Sequence, residues 1–170
     1  MQIKSVPKSN HNKGSVFLSF ATIIIIVLAL VSCKQKTVFE KNNAIESVGW
    51  HYENEWVFTL HIEDTTQLHD MYINVRNNTD YPYSNLLLFF TTEFPDGRLF
   101  KDTVECILAE RTGEWTGSGF GSIKSNSFHF RKDVWFPIKG EHTFTIKHAM
   151  REEYLKGITD IGLRIDRKMN

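Results

Sequence analysis

The chain has 170 residues, a length that accommodates one domain of ordinary size and little more. Its 20 basic and 20 acidic side chains balance to a formal net charge of zero, and 41% of its residues are hydrophobic, enough to form a core. The basic excess that nucleic-acid-binding domains show is missing, so the composition argues against a nucleic-acid partner.

The first 32 residues differ in character from the rest of the chain. Lys4, Lys8 and Lys13 precede a largely apolar run over residues 16–31, which ends at the small residue Ser32. This order is typical of a secretory signal peptide. The alternative is a membrane-spanning helix, which needs about 20 apolar residues, and this run is shorter. Without the leader, which carries three lysines and no acid, the net charge of the chain is −3.

The residues at the end of the leader, Leu30-Val31-Ser32-Cys33, resemble the lipobox of bacterial lipoproteins. The resemblance implies that residues 1–32 are a lipoprotein signal peptide and that Cys33 becomes the lipidated first residue. Each buried CH₂ group contributes about 0.8 kcal/mol to membrane binding, so two or three acyl chains hold a protein stably at a bilayer. Lys34, where an Asp would favour inner-membrane retention, favours the outer membrane, and Lys36 followed by Thr37 favours its periplasmic face.

The remaining chain predicts a short tether followed by one β domain. Residues 33–43 are mostly polar and are interpreted as a lipidated tether, so the domain is expected to span residues 44–170. Apolar and polar residues then alternate with the period of half-buried strands. The segments with this strand character are 56–62, 71–76, 86–91, 103–108, 128–136, 141–148 and 161–165.

Turn signals separate these segments. Asn77-Asn78-Thr79-Asp80 ends one strand, and Pro95-Asp96-Gly97 predicts a hairpin turn, because Pro presets φ and Gly supplies a positive φ. Leu86–Thr91 is apolar at nearly every position and is expected to be a central strand covered on both faces. Arg111–Ser122 holds four glycines and predicts a loop, and Ala149–Gly157 is the one plausible helical turn.

About eight strands without a long helix predict an all-β chain. The class that fits is a single β-sandwich, either immunoglobulin-like or a jelly roll.

Catalytic patterns are weak in this sequence. Ser118 lacks the Gly-x-Ser-x-Gly context of a nucleophile elbow, and the glycines around it lack the spacing and following helix of a phosphate loop. The histidines show no metal-ligand spacing and are expected to be exposed or cross-strand. Carboxylate pairs such as Glu152-Glu153 leave a hydrolase as a third, minor hypothesis. The prediction is a non-enzymatic protein with no metal, no cofactor and no small-molecule substrate.

Cys106 lies in an alternating apolar pattern and is interpreted as a buried thiol that acts as a small hydrophobic residue.

Aromatic residues give the better indication of function. Trp115 lies in the glycine-rich loop, and Tyr81 and Tyr83 flank a proline beside a turn. Because aromatic side chains are enriched at interfaces, these three residues are predicted to form a partner-binding surface. The alternative is carbohydrate binding at the cell surface, with Trp115 and Trp50 as stacking platforms. Trp56 and Trp135 are expected in the core.

Three separated blocks of the chain resemble the family of gliding motility lipoproteins called GldH, from Bacteroidetes. The three blocks are residues 74–86; Phe94–Gly97 with Asp102–Glu105; and His148–Arg151 with residues 157–165. The resemblance implies an envelope lipoprotein that is required for gliding and linked to the type IX secretion system. It implies membrane attachment, partners among envelope proteins of gliding and secretion, and no enzymatic activity. The one functional residue that it transfers is Cys33.

Overall fold

Antiparallel strands make up all the regular secondary structure of residues 37–169, the part that the computed structural model describes. The all-β prediction is therefore confirmed. The signal peptide 1–32 and Cys33 lie outside the described residues. No helix within residues 37–169 has the length and apolarity that crossing a bilayer requires. The ten strands are β1 Thr37–Ala44, β2 Trp50–His51, β3 Trp56–Ile62, β4 Leu68–Asn78, β5 Asn85–Glu93, β6 Leu99–Ile107, β7 Ile123–Trp135, β8 Gly140–His148, β9 Tyr154–Leu155 and β10 Ile158–Arg167.

The eight long strands form two four-stranded sheets with a jelly-roll topology. One sheet has the order β1-β10-β4-β7 and the other β3-β8-β5-β6, while β2 and β9 pair separately. The pairing of the eight long strands is nested: the first pairs with the last, the second with the second-last, and so on. The pairs are β1 with β10, β3 with β8, β4 with β7 and β5 with β6. This nested pairing is that of a jelly roll and differs from the immunoglobulin arrangement. Of the two predicted sandwich types, the structure has the jelly roll.

The core fills the space between the two sheets. Along β4 the residues Met71, Ile73 and Val75 are buried while their neighbours in sequence are partly exposed, as the period of a strand requires. The facing sheet contributes Phe90 and Phe144, whose ring centroids lie 6.0 Å apart. Burying one such side chain fully stabilises the fold by about 1.5–3 kcal/mol.

Two local predictions were wrong. The tether prediction for residues 33–43 does not hold from Thr37 onward, because Thr37–Ala44 is strand β1 and pairs with β10. Phe39 of this strand packs edge-on against Phe58, with ring centroids 6.3 Å apart. The helical turn predicted at Ala149–Gly157 is absent, and the segment instead contains β9, which pairs with β2.

The outer face of β5 also differs from its prediction. The Pro95-Asp96-Gly97 hairpin is present, with φ of +81° at Gly97, and β5 is an inner strand of its sheet. Only one face of β5 is covered, however, because no layer formed by residues 37–169 packs on the other side, and Phe89 is 51% exposed there. Trp135, expected in the core, is 60% exposed, since it lies at the end of the edge strand β7.

Three histidines, expected to be exposed or cross-strand, are cross-strand residues that lie in the interior of the domain. His69, His142 and His148 are all buried. His142 lies edge-on to Phe94 and Phe136, with ring centroids 5.6 and 5.0 Å away. Burial is the main cause that lowers the pKa of each of the three imidazoles, because it disfavours the charged form.

These depressed pKa values predict that acid destabilises the domain. The unfolded chain takes up protons at its histidines as pH falls through about 6.5, whereas the folded chain resists protonation until lower pH. Their contribution to stability is therefore complete above pH 6.5 and is lost as pH falls below it. We expect thermal unfolding followed by circular dichroism to give a lower melting temperature at pH 5.5 than at pH 7.5.

Two variants test whether the buried histidines cause this change of melting temperature with pH. His142→Leu is expected to reduce the pH dependence, because it removes one buried titrating group. Thr59→Val should leave the slope unchanged, because Thr59 carries no titrating group and is exposed on the outer face of β3. An equal slope in wild type and His142→Leu would contradict the assignment.

Candidate docking site

A depression of about 560 Å³ lies where β10 begins and β6 ends. It brings together the three residues that the sequence predicted as a partner-binding surface, Tyr81, Tyr83 and Trp115. The full lining is Tyr81, Pro82, Tyr83, Ser84, Ile107, Ala109, Glu110, Arg111, Gly113 and Trp115. The structure thus brings together two loops whose residues Tyr83 and Trp115 are 32 positions apart in the chain.

Tyr81 forms the buried floor of this depression. Its hydroxyl donates a hydrogen bond of 2.9 Å to the carbonyl oxygen of Asn85, and the rest of the ring is packed in the core. Burial raises the pKa of the Tyr81 phenol far above its usual value, so the hydroxyl stays protonated and acts as a donor. Tyr81 is therefore a rigid structural part of the site.

The turn that carries Tyr81 is tied to two neighbouring loops. The Asn78 and Thr79 amides donate hydrogen bonds of 2.8 Å to the carbonyl oxygens of Gly157 and Ser122. Gly157 has φ of +89°, and a Cβ atom there would lie 2.7 Å from the Cα of Tyr81. The close approach requires glycine at position 157, because any side chain would push the turn outward.

Tyr83 is more exposed and can offer its ring to a ligand. Its ring lies edge-on to that of Tyr81, with centroids 5.7 Å apart. The Tyr83 hydroxyl donates a hydrogen bond to Glu152, which is the main cause that raises the pKa of Tyr83. Glu152 therefore orients the tyrosine ring from outside the depression.

Trp115 is held by a tight hairpin after β6. Ala109 and Trp115 form an isolated antiparallel bridge, and the Thr116 amide donates to the carbonyl oxygen of Leu108 at 2.9 Å. Gly113 closes the turn with φ of +86°. Trp115 packs partly on the core and is partly exposed. The indole is thus an anchored ring with one accessible part, as aromatic anchors at protein interfaces are.

Ile107 and Arg111 belong to the site but were missed by the sequence analysis. Ile107 is 46% exposed because it occupies the outer face at the end of β6, and Arg111 adds a positive charge to the rim. The alternation along β6 shows that Ile107 lies on the face opposite Cys106, but it does not show that Ile107 lies near Tyr83. That neighbourhood depends on the pairing of β5 with β6.

The carbohydrate-binding alternative loses one of its two stacking platforms. Trp50 is buried, its indole N–H donates 2.9 Å to the carbonyl oxygen of Asn54, and its ring lies edge-on to His148 at 5.2 Å. A ring in this position cannot stack on a sugar.

Within residues 37–169 no group of three side chains is arranged to hold a metal ion. Cys106 is buried as predicted, and burial raises the pKa of its thiol to about 12, so the thiol is unreactive at neutral pH.

The described residues define a class by their fold and site: a jelly-roll domain with an aromatic surface depression. Residues 37–165 match the family model described as GldH lipoprotein. The chain belongs to the GldH lipoprotein family.

Two relatives show the extent of the similarity. The chain is 37% identical to the gliding motility lipoprotein GldH homolog of Christiangramia forsetii, over 92% of this chain and 97% of the relative. It is 35% identical to the gliding motility lipoprotein GldH of Flavobacterium johnsoniae, over 86% of this chain and 94% of the relative. The family resemblance predicted from three sequence blocks is confirmed.

Solved structures show only distant likeness. The structure of infectious bursal disease virus Gx strain aligns with a TM-score of 0.33 at 10% identity, over 79% of this chain and 33% of that chain. Dimeric latent PorU from Porphyromonas gingivalis aligns with a TM-score of 0.34 at 9% identity, over 81% of this chain and 14% of that chain. Scores this low do not establish a shared fold.

Proposed function

We propose that this protein is a non-enzymatic gliding motility lipoprotein whose aromatic depression binds an envelope protein of the motility and type IX secretion machinery. Membership of the GldH lipoprotein family supports the motility role, since both relatives are named for it. The lipobox at Leu30–Cys33 supports a covalent lipid on Cys33. Lys34 supports the outer membrane, and Lys36 followed by Thr37 supports its periplasmic face.

The observation that carries the proposal is the convergence of Tyr81, Tyr83 and Trp115 on one depression. All three rings are anchored by hydrogen bonds or core contacts, so a partner would meet a preorganised surface. Interfaces concentrate their binding energy in a few Tyr, Trp and Arg residues. This depression offers all three types, with Arg111 at its rim.

The position of the depression suits a protein held by its N-terminus. Thr37 pairs with Asp166 near the end of β10, whereas Tyr81 contacts Gly157 just before β10 begins. The strand between these points rises about 3.3 Å per residue, so they lie on opposite ends of the sheet. A lipid on Cys33 would be four residues before Thr37, a span of at most about 14 Å. The depression would then lie at the end of this sheet opposite the tethered end.

The test is a double variant, Trp115→Ala with Tyr83→Ala, in a gliding strain. Removal of two anchoring rings is expected to weaken partner binding by about 2 kcal/mol or more, which is about 30-fold. Crosslinking co-purification from membranes followed by mass spectrometry should lose the partner proteins, and colonies should stop spreading.

The matched control is Trp135→Ala. It removes an exposed tryptophan from the edge strand β7, outside the depression. Gliding and partner recovery should be unchanged in this control. Unchanged gliding and recovery in the double variant would show that the depression is not the docking site.

A further inference from the structure

Strand β6 presents an open edge of the second sheet. One side of Leu99–Ile107 pairs with β5 in a continuous register, and no strand of the described chain pairs with its other side. Such an edge is a template for a further strand. Natural proteins protect edges with charged side chains, prolines, bulges or short lengths. Among the described residues, the edges at β1 and β7 carry irregularities, whereas β3 and β6 are regular and have no proline. Strand β6 is the longer of these two, with nine residues against seven, and its outer charges are of both signs.

The backbone groups that face this open edge can be identified. The Leu108 amide donates to Ser84 and the Phe94 amide to Arg98, so the pairs flanking the β5–β6 ladder at both ends are hydrogen-bonded pairs. Hydrogen-bonded and non-hydrogen-bonded pairs alternate along an antiparallel ladder. The even-numbered residues of β6 therefore bond to β5, and the odd-numbered residues direct their N–H and C=O groups to the open edge. Two of these groups have partners within one copy: the Thr103 amide donates a hydrogen bond of 2.8 Å to Asp102 Oδ1, and the Ile107 carbonyl oxygen accepts one of 2.9 Å from the Thr116 hydroxyl.

The side chains of the same odd-numbered residues lie together on the outer face of the sheet. They read Leu99, Lys101, Thr103, Glu105 and Ile107, and all are exposed. Leu99 is 58% exposed, a high value for an aliphatic residue in a strand. This row is apolar at both ends, carries opposite charges on either side of its centre and has Thr103 at the centre.

We propose that a second copy of this chain pairs antiparallel with β6 about a two-fold axis through Thr103. Lys101 then faces Glu105 of the second copy, and Leu99 faces its Ile107. The two-fold axis repeats both contacts, as it must in a symmetric dimer. The odd-numbered backbone groups of the two β6 strands bond to each other, and the Thr103 amide exchanges Asp102 Oδ1 for the Thr103 carbonyl oxygen of the second copy. The two second sheets then join into one eight-stranded sheet.

The register follows from charge and apolar complementarity. The open N–H and C=O groups lie on odd-numbered residues, so a slip moves the pairing by two residues. A slip in one direction sets Leu99 against Glu105, and a slip in the other sets Lys101 against Ile107. Each slipped register loses both ion pairs and both apolar contacts. Opposite-charge and apolar cross-strand pairs each contribute about 0.2–1 kcal/mol, so the register about Thr103 is favoured.

The inward-facing residues of β6 do not compete for this role. Asp102 pairs with Arg131 of β7 at 3.0 Å, and the same guanidinium lies 4.6 Å from the ring centroid of Phe100. These contacts close the gap between the two sheets within one copy. The outer row is left for a second copy.

Thr103→Cys in the full lipidated chain tests the proposal. In a hydrogen-bonded antiparallel pair the Cα atoms are about 5.5 Å apart, a distance that a disulfide spans. Mild copper-phenanthroline oxidation of membranes should therefore give a covalent dimer, seen on a non-reducing gel at twice the mass. Thr59→Cys is the control, because Thr59 is an exposed threonine on the outer face of the opposite edge strand β3. A band no stronger than that of Thr59→Cys, or a crosslink to a different protein, would overturn the proposal.

A charge exchange adds an independent test of the register. Lys101→Glu and Glu105→Lys, each added to Thr103→Cys, place like charges across the two-fold axis and should each reduce the crosslinked fraction severalfold. The double exchange Lys101→Glu with Glu105→Lys restores opposite charges and should restore the dimer. If the double exchange crosslinks no better than either single variant, the register is wrong. The two surfaces share Ile107, but these tests change only residues 101, 103 and 105, none of which lines the depression, and they leave Trp115 and Tyr83 in place.

Discussion

Cys33→Ser is expected to abolish lipid attachment completely and to leave the leader on the chain. A serine hydroxyl does not replace the thiol that takes the diacylglycerol group, and cleavage before residue 33 follows from that modification in the lipoprotein pattern which Leu30–Cys33 resembles. Cells grown with labelled palmitate should show label on the wild-type chain and none on Cys33→Ser. Intact mass should show that the variant keeps residues 1–32.

Cys106→Ala is the matched control for this experiment. It removes the other cysteine of the chain, which is buried in the second sheet. Its label and its processing should equal those of the wild type, although the domain loses some core packing. Label on Cys33→Ser, or its loss in Cys106→Ala, would contradict lipidation at Cys33. Membrane fractionation alone is a weaker readout, because an uncleaved apolar leader could also hold the chain at a bilayer.

The strands with strong alternation could be predicted from the sequence. The buried row Met71, Ile73 and Val75 follows the period of two directly, and the Pro95–Gly97 turn has local chemistry that allows few other structures. Strand β1 could not be predicted in this way. Its central residues are polar because β1 is an edge strand, and its strand state depends on β10, more than 100 residues away.

The choice between the two sandwich types also depended on non-local pairing. Both types have the same alternation, and only the pairing of β1 with β10 and of β3 with β8 separates them. The candidate site is a similar case. Aromatic residues beside turns indicated Tyr81, Tyr83 and Trp115, but nothing local indicated that the two loops meet. The burial of His69, His142 and His148 was not predicted. In the sequence alone, a polar residue that points inward from a strand cannot be distinguished from one that is exposed or lies at a bulge.

Gly157→Ala is expected to destabilise the domain and to deform the docking site. Its φ of +89° is a conformation that costs an L-residue about 1–2 kcal/mol. A Cβ atom there would also lie 2.7 Å from the Cα and 2.9 Å from the Cβ of Tyr81, and overpacking of this kind adds about 1–3 kcal/mol. The sum is about 2–5 kcal/mol, which lowers the melting temperature by roughly 10 °C for a domain of this size.

Gly97→Ala separates the two parts of this effect. Gly97 has nearly the same φ, +81°, but nothing lies within 4 Å of a Cβ atom built there. It should therefore show the backbone cost alone, a shift of a few degrees, and keep full partner recovery. Because Gly157 supports Tyr81 at the floor of the depression, Gly157→Ala should lose partner recovery even at temperatures where the domain stays folded. Equal melting temperatures for the two variants would mean that the approach of Gly157 to Tyr81 does not hold the turn in place.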